Sequence, residues 1–204
     1  MKHEAWVRGA ADVGVDLTTR GAEVLDRLQT FATLLHEHAI PYGMIARRDA
    51  DRLWERHLLD CIRAVPAVPD QATSVCDLGS GAGLPGLLLA ICLPSVAVTL
   101  TDTRRKRAAF LTLAIDRLGL ENASVHPGRA ESLSGGFDVC TARAFSDVAG
   151  SWAVAEPLLA AGGVLLYWAG ETFQPSEVPV TARTTYFTTS ALARSGPVVI
   201  MARQ

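Results

Sequence analysis

The residues with the most chemical content fall in one stretch, Asp77-Leu78-Gly79-Ser80-Gly81-Ala82-Gly83-Leu84-Pro85-Gly86, set between a short apolar run and a longer one. Gly79, Gly81 and Gly83 permit positive φ and a close approach of backbone to ligand. A helix opening there aims its first N–H groups at an anionic or carbonyl group, and Pro85 in its first turn forfeits no hydrogen bond. Gly81, Gly83 and Gly86 also match the G-x-G-x-x-G spacing of dinucleotide sites. Two features oppose that reading: Asp77 stands where it would repel a pyrophosphate, and too little chain follows for a second nucleotide-binding half and a substrate domain. S-adenosylmethionine, a sulfonium carrying an amino-acid tail and a nucleoside, meets both conditions, with Asp77 on its amino-acid side. Asp102 is in register to accept hydrogen bonds from ribose hydroxyls, although Asp102 or Thr103 equally suits the cap of a following helix. Arg129-Ala130-Glu131 lies where an adenine edge would meet loop backbone, or else forms an ordinary exposed turn.

The pattern of apolar residues indicates what holds these groups. From Ser74 onward, strands are predicted over Ser74 to Leu78, Val96 to Thr101, Ala123 to His126, Phe137 to Thr141 and Gly163 to Trp168. Helices are predicted between them, over Leu84 to Leu93, Arg104 to Leu118 and Asp147 to Ala160. This alternation predicts an α/β fold with a doubly wound, mostly parallel sheet, closed by an antiparallel edge pair at Thr184 to Thr188 and Pro197 to Met201. Residues 1–69 are read as a helical segment packed on the core and 70–204 as the ligand-binding domain, joined by the proline-containing stretch Val65 to Pro69. Leu25, Leu28, Ala32, Leu35 and Ala39 predict one helix, ended by Pro41. A second is predicted over Asp49 to Val65. Its regular phase would align Arg48, Arg52, Arg56 and Arg63 in a stripe opposite Leu53, Trp54, His57, Leu58, Cys61 and Ile62. That stripe is either a solvated face, partly neutralised by Glu55 and Asp60, or a surface facing RNA phosphates or the substrate.

Composition narrows the classes. The chain of 204 residues is 49% hydrophobic with net charge −2, enough to bury one sizeable core. Pro85 and Pro94 bracket the most apolar run, too short to span a bilayer, and Met1 to Arg20 lacks an apolar signal core, so a cytoplasmic protein is expected. A pI near 6.2 provides no global cationic field, so any nucleic-acid contact must use a local patch. All but Lys2 and Lys106 of the 19 basic residues are arginine. Cys61, Cys76, Cys92 and Cys140 show no C-x-x-C spacing and read as core residues; no metal site is expected. His36, His38, His57 and His126 read as structural, and Trp54, Trp152 and Trp168 as core, with Trp168 the best candidate to reach a substrate base.

The run DLGSGAGLPGLLLAICLPSVAVTLTDTRRKRAAFL, then GRAES and TARAF, preceded by ERHLLDC, resembles the bacterial 16S rRNA (guanine-N7) methyltransferase family, also called glucose-inhibited division protein B, from about Arg52 to Glu171. The resemblance implies a class I methyltransferase fold, S-adenosylmethionine as cofactor, and small-subunit rRNA or a partly assembled ribosomal subunit as partner. It further implies that Gly79, Leu84, Ala130, Glu131 and Arg143 contact the methyl donor, and that Lys106, Arg129 and Arg143 surround the guanine and its RNA. Arg52 and Arg56 of the arginine stripe join the expected RNA-binding set. The chain departs from the family pattern at Tyr42-Gly43-Met44-Ile45-Ala46, where an Asn-Leu-Thr segment is usual, and at Ala169, where lysine is common. Ser195 stands where an arginine is expected, beside Arg194.

Guanine N7 offers an in-plane lone pair and no proton, so methyl transfer to it needs positioning and no general base. Arg143 is the expected catalytic residue, its fork holding guanine O6 or a phosphate; Asp77 or Glu131 is placed to favour the positive charge that develops on the base. Two other readings stay open at this point: a relative that methylates a small molecule or peptide, and a donor- or RNA-binding module without turnover.

Overall fold

A computed structural model of the chain describes residues 2–189, 191–192 and 195–204; Arg194 lies outside them. Strands β1 (Ser74–Leu78), β2 (Ala97–Thr101), β3 (Ala123–His126), β4 (Phe137–Arg143) and β5 (Leu159–Trp168) are parallel, in the spatial order β3-β2-β1-β4-β5. β7 (Val198–Arg203) returns antiparallel beside β5 and pairs antiparallel with the edge strand β6 (Ala182–Phe187). The central strands carry no polar face because helices cover both sides: Val75, Cys76, Asp77 and Leu78 are all buried.

The helices are α1 (Lys2–Asp12), α2 (Ala22–Leu34), α3 (Leu59–Ile62), α4 (Gly86–Cys92), α5 (Arg105–Leu118) and α6 (Val148–Ala155). Leu28, Phe31 and Leu35 from the first seventy residues share one buried cluster with Leu87 to Ile91 of α4 and Leu111 and Ala114 of α5. On the opposite face of the sheet, Val148, Trp152 and Leu158 pack with Leu165 and Met201. α5 ends where Gly119 adopts a left-handed conformation, φ 59°, the usual device for closing a helix. All four cysteines are buried thiols, and burial pushes Cys61 and Cys92 up to about 12.

The predicted helix over Asp49 to Val65 is not regular. It is a 3₁₀ segment (Arg47–Arg52), a wider π-type turn (Trp54–Leu58) and then α3. Tight and wide turns advance the side chains by different angles, so a phase of 100° per residue does not carry through. Arg48, Arg52 and Arg56 stay exposed, but Arg63 turns inward to 1% exposure, leaving the expected stripe without its last member. Its guanidinium donates to Asp60 Oδ1 at 2.9 Å and to the Gly196 carbonyl at 2.9 Å.

The sheet order reverses between β1 and β4, so the crevice outside their carboxyl ends is where a doubly wound sheet offers a ligand site. Leu78 of β1 pairs with Ala142 of β4, and the next β4 residue, Arg143, pairs with Trp168 of β5. The glycine-rich turn and Arg143 therefore leave the sheet side by side. At the other end, the Asp138 carboxylate locks the two strands together by accepting from the backbone N–H and hydroxyl groups of Thr73 and Ser74 at 2.8–3.1 Å.

Candidate active site

The turn after β1 is built from beneath and from behind. Ser80 N–H donates to the Thr101 carbonyl at 2.7 Å, Thr101 N–H donates to Ser80 Oγ at 3.1 Å, and Gly79 N–H donates to Thr101 Oγ1 at 3.1 Å. These bonds clamp the turn to the end of β2. Gly83 has φ +81°, and a Cβ there would lie 2.3 Å from Leu87 Cδ1, so both backbone and packing demand glycine. Gly81 has φ +57°, and a Cβ there would meet nothing closer than 3.7 Å: its α-carbon faces open space at the cavity wall.

Asp77 sits under this turn rather than in its mouth. It is 1% exposed; Oδ1 accepts from the Thr141 hydroxyl at 2.6 Å and Oδ2 from Gly86 N–H at 3.1 Å. The first N–H of α4, expected to face a ligand, is thus satisfied by Asp77. Burial pushes the Asp77 carboxyl up to about 6, with the hydrogen bonds from Thr141, Ser80 and Gly86 opposing the rise. In the unfolded chain the same group has a pKa near 3.8, so between about 3.8 and 6 the folded state holds more protons. Stability from this group is therefore greatest at low pH and is lost as pH rises through 6. The unfolding free energy of the wild type minus that of Asp77→Asn is expected to rise by about 3 kcal/mol as pH falls from 7 to 3.5, using about 1.4 kcal/mol per pKa unit. Denaturant unfolding at several pH values measures it, and a flat difference would contradict the burial argument.

Asp102, also buried, accepts from Gly81 N–H at 3.1 Å through Oδ2 and from Arg104 N–H at 2.8 Å through Oδ1, with Arg107 Nη1 3.6 Å from Oδ2. One carboxylate thus braces the glycine turn and the entry to α5 together. Arg129 and Glu131 are exposed on the loop after β3, and Ala130 between them is buried.

Above the turn lies a cavity of about 1160 Å³. Gly79, Gly81, Leu84 and Arg143 from the expected donor set line it, together with Arg52 and Arg56 from the expected RNA set. Gly83, Asp102, Ala130, Glu131 and Arg129 are outside that lining, and Lys106 borders a separate, smaller cleft. Ala169 and Ser195, two of the three expected departures from the family pattern, are on the wall, as are Met44, Ile45 and Ala46 of the third and Arg8 of α1.

Arg143 is held more firmly than its position alone suggests. Nε donates to Asp60 Oδ2 at 3.1 Å, while Nη2 donates to the Arg56 carbonyl at 3.3 Å and to His57 Nδ1 at 3.2 Å. His57 Nε2 is 3.3 Å from Asp49 Oδ2. Burial and the Arg143 guanidinium lower the His57 pKa against the pull of Asp49, so the ring is neutral at pH 7, with Nδ1 accepting and Nε2–H donating. Of the Arg143 side-chain nitrogens, Nη1 alone has no partner among the described residues, and it is the nitrogen left for a ligand. Asp60 is the hub: its carboxylate takes Arg143 and Arg63, and its carbonyl takes Trp168 Nε1–H at 2.9 Å. Trp168 is therefore buried in the wall with its N–H spent, and Trp54 stacks on Trp6 at 4.4 Å.

Sequence reasoning gave Asp60 no role beyond neutralising a surface stripe, and Asp49 none. The R-H-L-L-D run that carries His57 and Asp60 was the available signal, but its partners are more than eighty residues away in the chain. Among the described residues, no group of three or more His, Cys, Asp or Glu is arranged to hold a metal, and no helix is long and apolar enough to cross a membrane.

Comparison with known proteins agrees with this geometry. The family model GidB, rRNA small subunit methyltransferase G, matches residues 24–192. The ribosomal RNA small subunit methyltransferase G of Thermobifida fusca is 42% identical over 151 residues, covering 73% of this chain and 63% of that protein. The protein of the same name from Stenotrophomonas maltophilia is 41% identical over 165 residues, covering 80% and 74%. The matched stretch thus spans just under two thirds of the first relative and about three quarters of the second. Among solved structures, a methyltransferase from Geobacter sulfurreducens superposes with a TM-score of 0.55 at 16% identity, covering 87% of this chain and 88% of that one, which speaks for the fold alone.

Proposed function

Since the chain belongs to the GidB family of small-subunit rRNA methyltransferases, we propose that it transfers a methyl group from S-adenosylmethionine to N7 of a guanine in 16S rRNA. The observation that carries this reading is the cavity at the sheet's switch point, where the open glycine turn, the free edge of Arg143 and the cations Arg52 and Arg56 face a common space. Gly79, Gly81 and Leu84 line the space the donor would occupy; the ribose role of Asp102, which braces Gly81 from behind, and the adenine role of the Arg129-Ala130-Glu131 loop rest on sequence register and the family resemblance, since both lie outside that lining. Asp77 contributes by holding the turn and the start of α4, not by touching the donor.

When bound, the donor would supply an electrophilic methyl on a sulfonium, the N7–carbon bond forming as the sulfur–carbon bond breaks and the neutral thioether S-adenosylhomocysteine leaves. The chain's own task is to orient the base. Arg143, fixed through Nε and Nη2, presents Nη1 to guanine O6 or to a phosphate. Because Asp60 offsets its charge, Arg143 donates hydrogen bonds without a full excess positive charge opposing the one that develops on the ring. Arg52 and Arg56 are placed for the phosphates of the strand.

Incubating the protein and methyl-labelled donor with small-subunit RNA and with partly assembled particles, followed by mass spectrometry of the nucleosides, tests the reading. 7-Methylguanosine is expected. Donor binding with inert RNA and a methylated metabolite or peptide would move the assignment to another substrate, and donor binding without any transfer would make the chain a binding module.

A further inference from the structure

Met44 and Arg107 line the large cavity and also a second cleft of about 300 Å³, whose other walls are Tyr42, Gly43, Arg104, Arg105 and Lys106. The two spaces thus lie on either side of these two residues, and the second has an unusual make-up. Four consecutive cations enter and occupy the first turn of α5, a helix of 14 residues with no acid in that turn and no side-chain cap. Cations there face the positive end of the helix macrodipole and repel one another, which disfavours the helix in isolation. Arg107 is partly compensated by Asp102, but among the described residues Arg104, Arg105 and Lys106 make no ion pair. The arrangement becomes favourable when an anion occupies the cleft.

The opposite wall is an aromatic ring left in solvent. Tyr42 is 68% exposed, yet its backbone is fixed: Tyr42 N–H donates to the His38 carbonyl at 3.1 Å, Gly43 N–H to Ile40 at 3.0 Å and Met44 N–H to Ala39 at 2.8 Å. A flat ring on a fixed backbone, beside uncompensated cations, suits a ligand that is flat at one end and anionic at the other. The surroundings are too charged for an apolar protein surface, since the half-buried Met44 is the cleft's one aliphatic side chain.

Resting on the reading of the chain as an RNA methyltransferase, we propose that this cleft is a second nucleotide subsite: an unpaired base stacks on Tyr42 while its phosphate lies over Arg104, Arg105 and Lys106, next in the strand to the base held in the large cavity.

Equilibrium binding of fluorescent single-stranded 16S rRNA fragments to the full chain, measured beside methyl transfer, tests the subsite. Tyr42→Ala is expected to weaken RNA binding about tenfold, within the range for loss of one stacked base, and to raise KM with kcat and donor affinity unchanged. Tyr42→Phe should bind as the wild type does. Arg105→Ala and Lys106→Ala should each lower the slope of log affinity against log salt by about 0.7. An abasic site beside the methylated guanine should weaken the wild type and leave Tyr42→Ala indifferent. Unchanged RNA affinity in Tyr42→Ala while the wild type methylates RNA would overturn the subsite alone. Tyr42-dependent RNA binding by a wild type that transfers no methyl group would instead overturn the activity and keep the subsite. A defect seen only with intact ribosomal particles, and not with naked RNA, would assign the cleft to a ribosomal protein and also overturn the proposal.

Discussion

Arg143→Ala is expected to lower kcat for methyl transfer to RNA by about two to three orders of magnitude, the scale seen when one prepositioned hydrogen-bond donor is removed from a reacting centre. The expectation rests on how little freedom the side chain has. Three contacts, to Asp60, the Arg56 carbonyl and His57, fix the plane of the guanidinium at the cavity wall and leave Nη1 unpartnered, so little ordering would remain to be done when substrate arrives. Arg143→Lys keeps the charge but loses the fork, since one ammonium cannot reach Asp60 and the substrate together. It should recover only a small part of the rate. Donor affinity, measured separately by calorimetry, should change only a few fold, because the glycine turn is clamped to β2 through Ser80 and Thr101, independently of Arg143. Unchanged turnover would remove Arg143 from the mechanism. A loss confined to donor binding would make it a cofactor residue instead.

The parts of the site that were legible in the sequence are those whose signal is local. The turn from Asp77 to Gly86 announces itself because conformational demand is written in residue type: Gly83 can be nothing else at φ +81° with Leu87 against it. The strands β1 to β4 are readable to within two residues from short apolar runs between helical ones, whereas β5 begins at Leu159, inside the span expected to be helix to Ala160, because Leu159 pairs with Phe137 of β4. Two things were hidden, for separate reasons. Arg63 appeared as part of an exposed stripe because regular helix geometry was assumed, whereas a 3₁₀ segment and a π-type turn rotate it into the wall of the cavity. Asp77 appeared as a ligand group because a carboxylate before a glycine turn can point up or down. Only tertiary contacts, the Thr141 hydroxyl from β4 and Gly86 N–H from α4, decide that it points down.

Asp60→Ala is expected to be the most damaging single change to stability, at about 3–5 kcal/mol, which for a chain of this size corresponds to a fall in Tm of roughly 10 °C. The carboxylate is the shared counter-charge of two arginines, and removing it strands both. Arg63, at 1% exposure, cannot turn to water and would keep only the Gly196 and Asp60 carbonyls as acceptors. Arg143 is less enclosed and would lose its Nε partner, so activity should fall as well, through misplacement of Nη1. Arg63→Met separates these effects, because it removes the buried guanidinium while leaving Asp60 paired with Arg143. In the double variant Asp60→Ala with Arg63→Met, much of the lost stability should return, since the uncompensated charge is gone and the methionine fills the space, while the defect in methyl transfer should persist because Arg143 is still unanchored. Thermal unfolding and single-turnover methyl transfer on the same four proteins provide the test. Recovery of activity along with stability would show that Asp60 serves only the fold. Recovery of stability alone would make it the residue that holds Arg143 in working position.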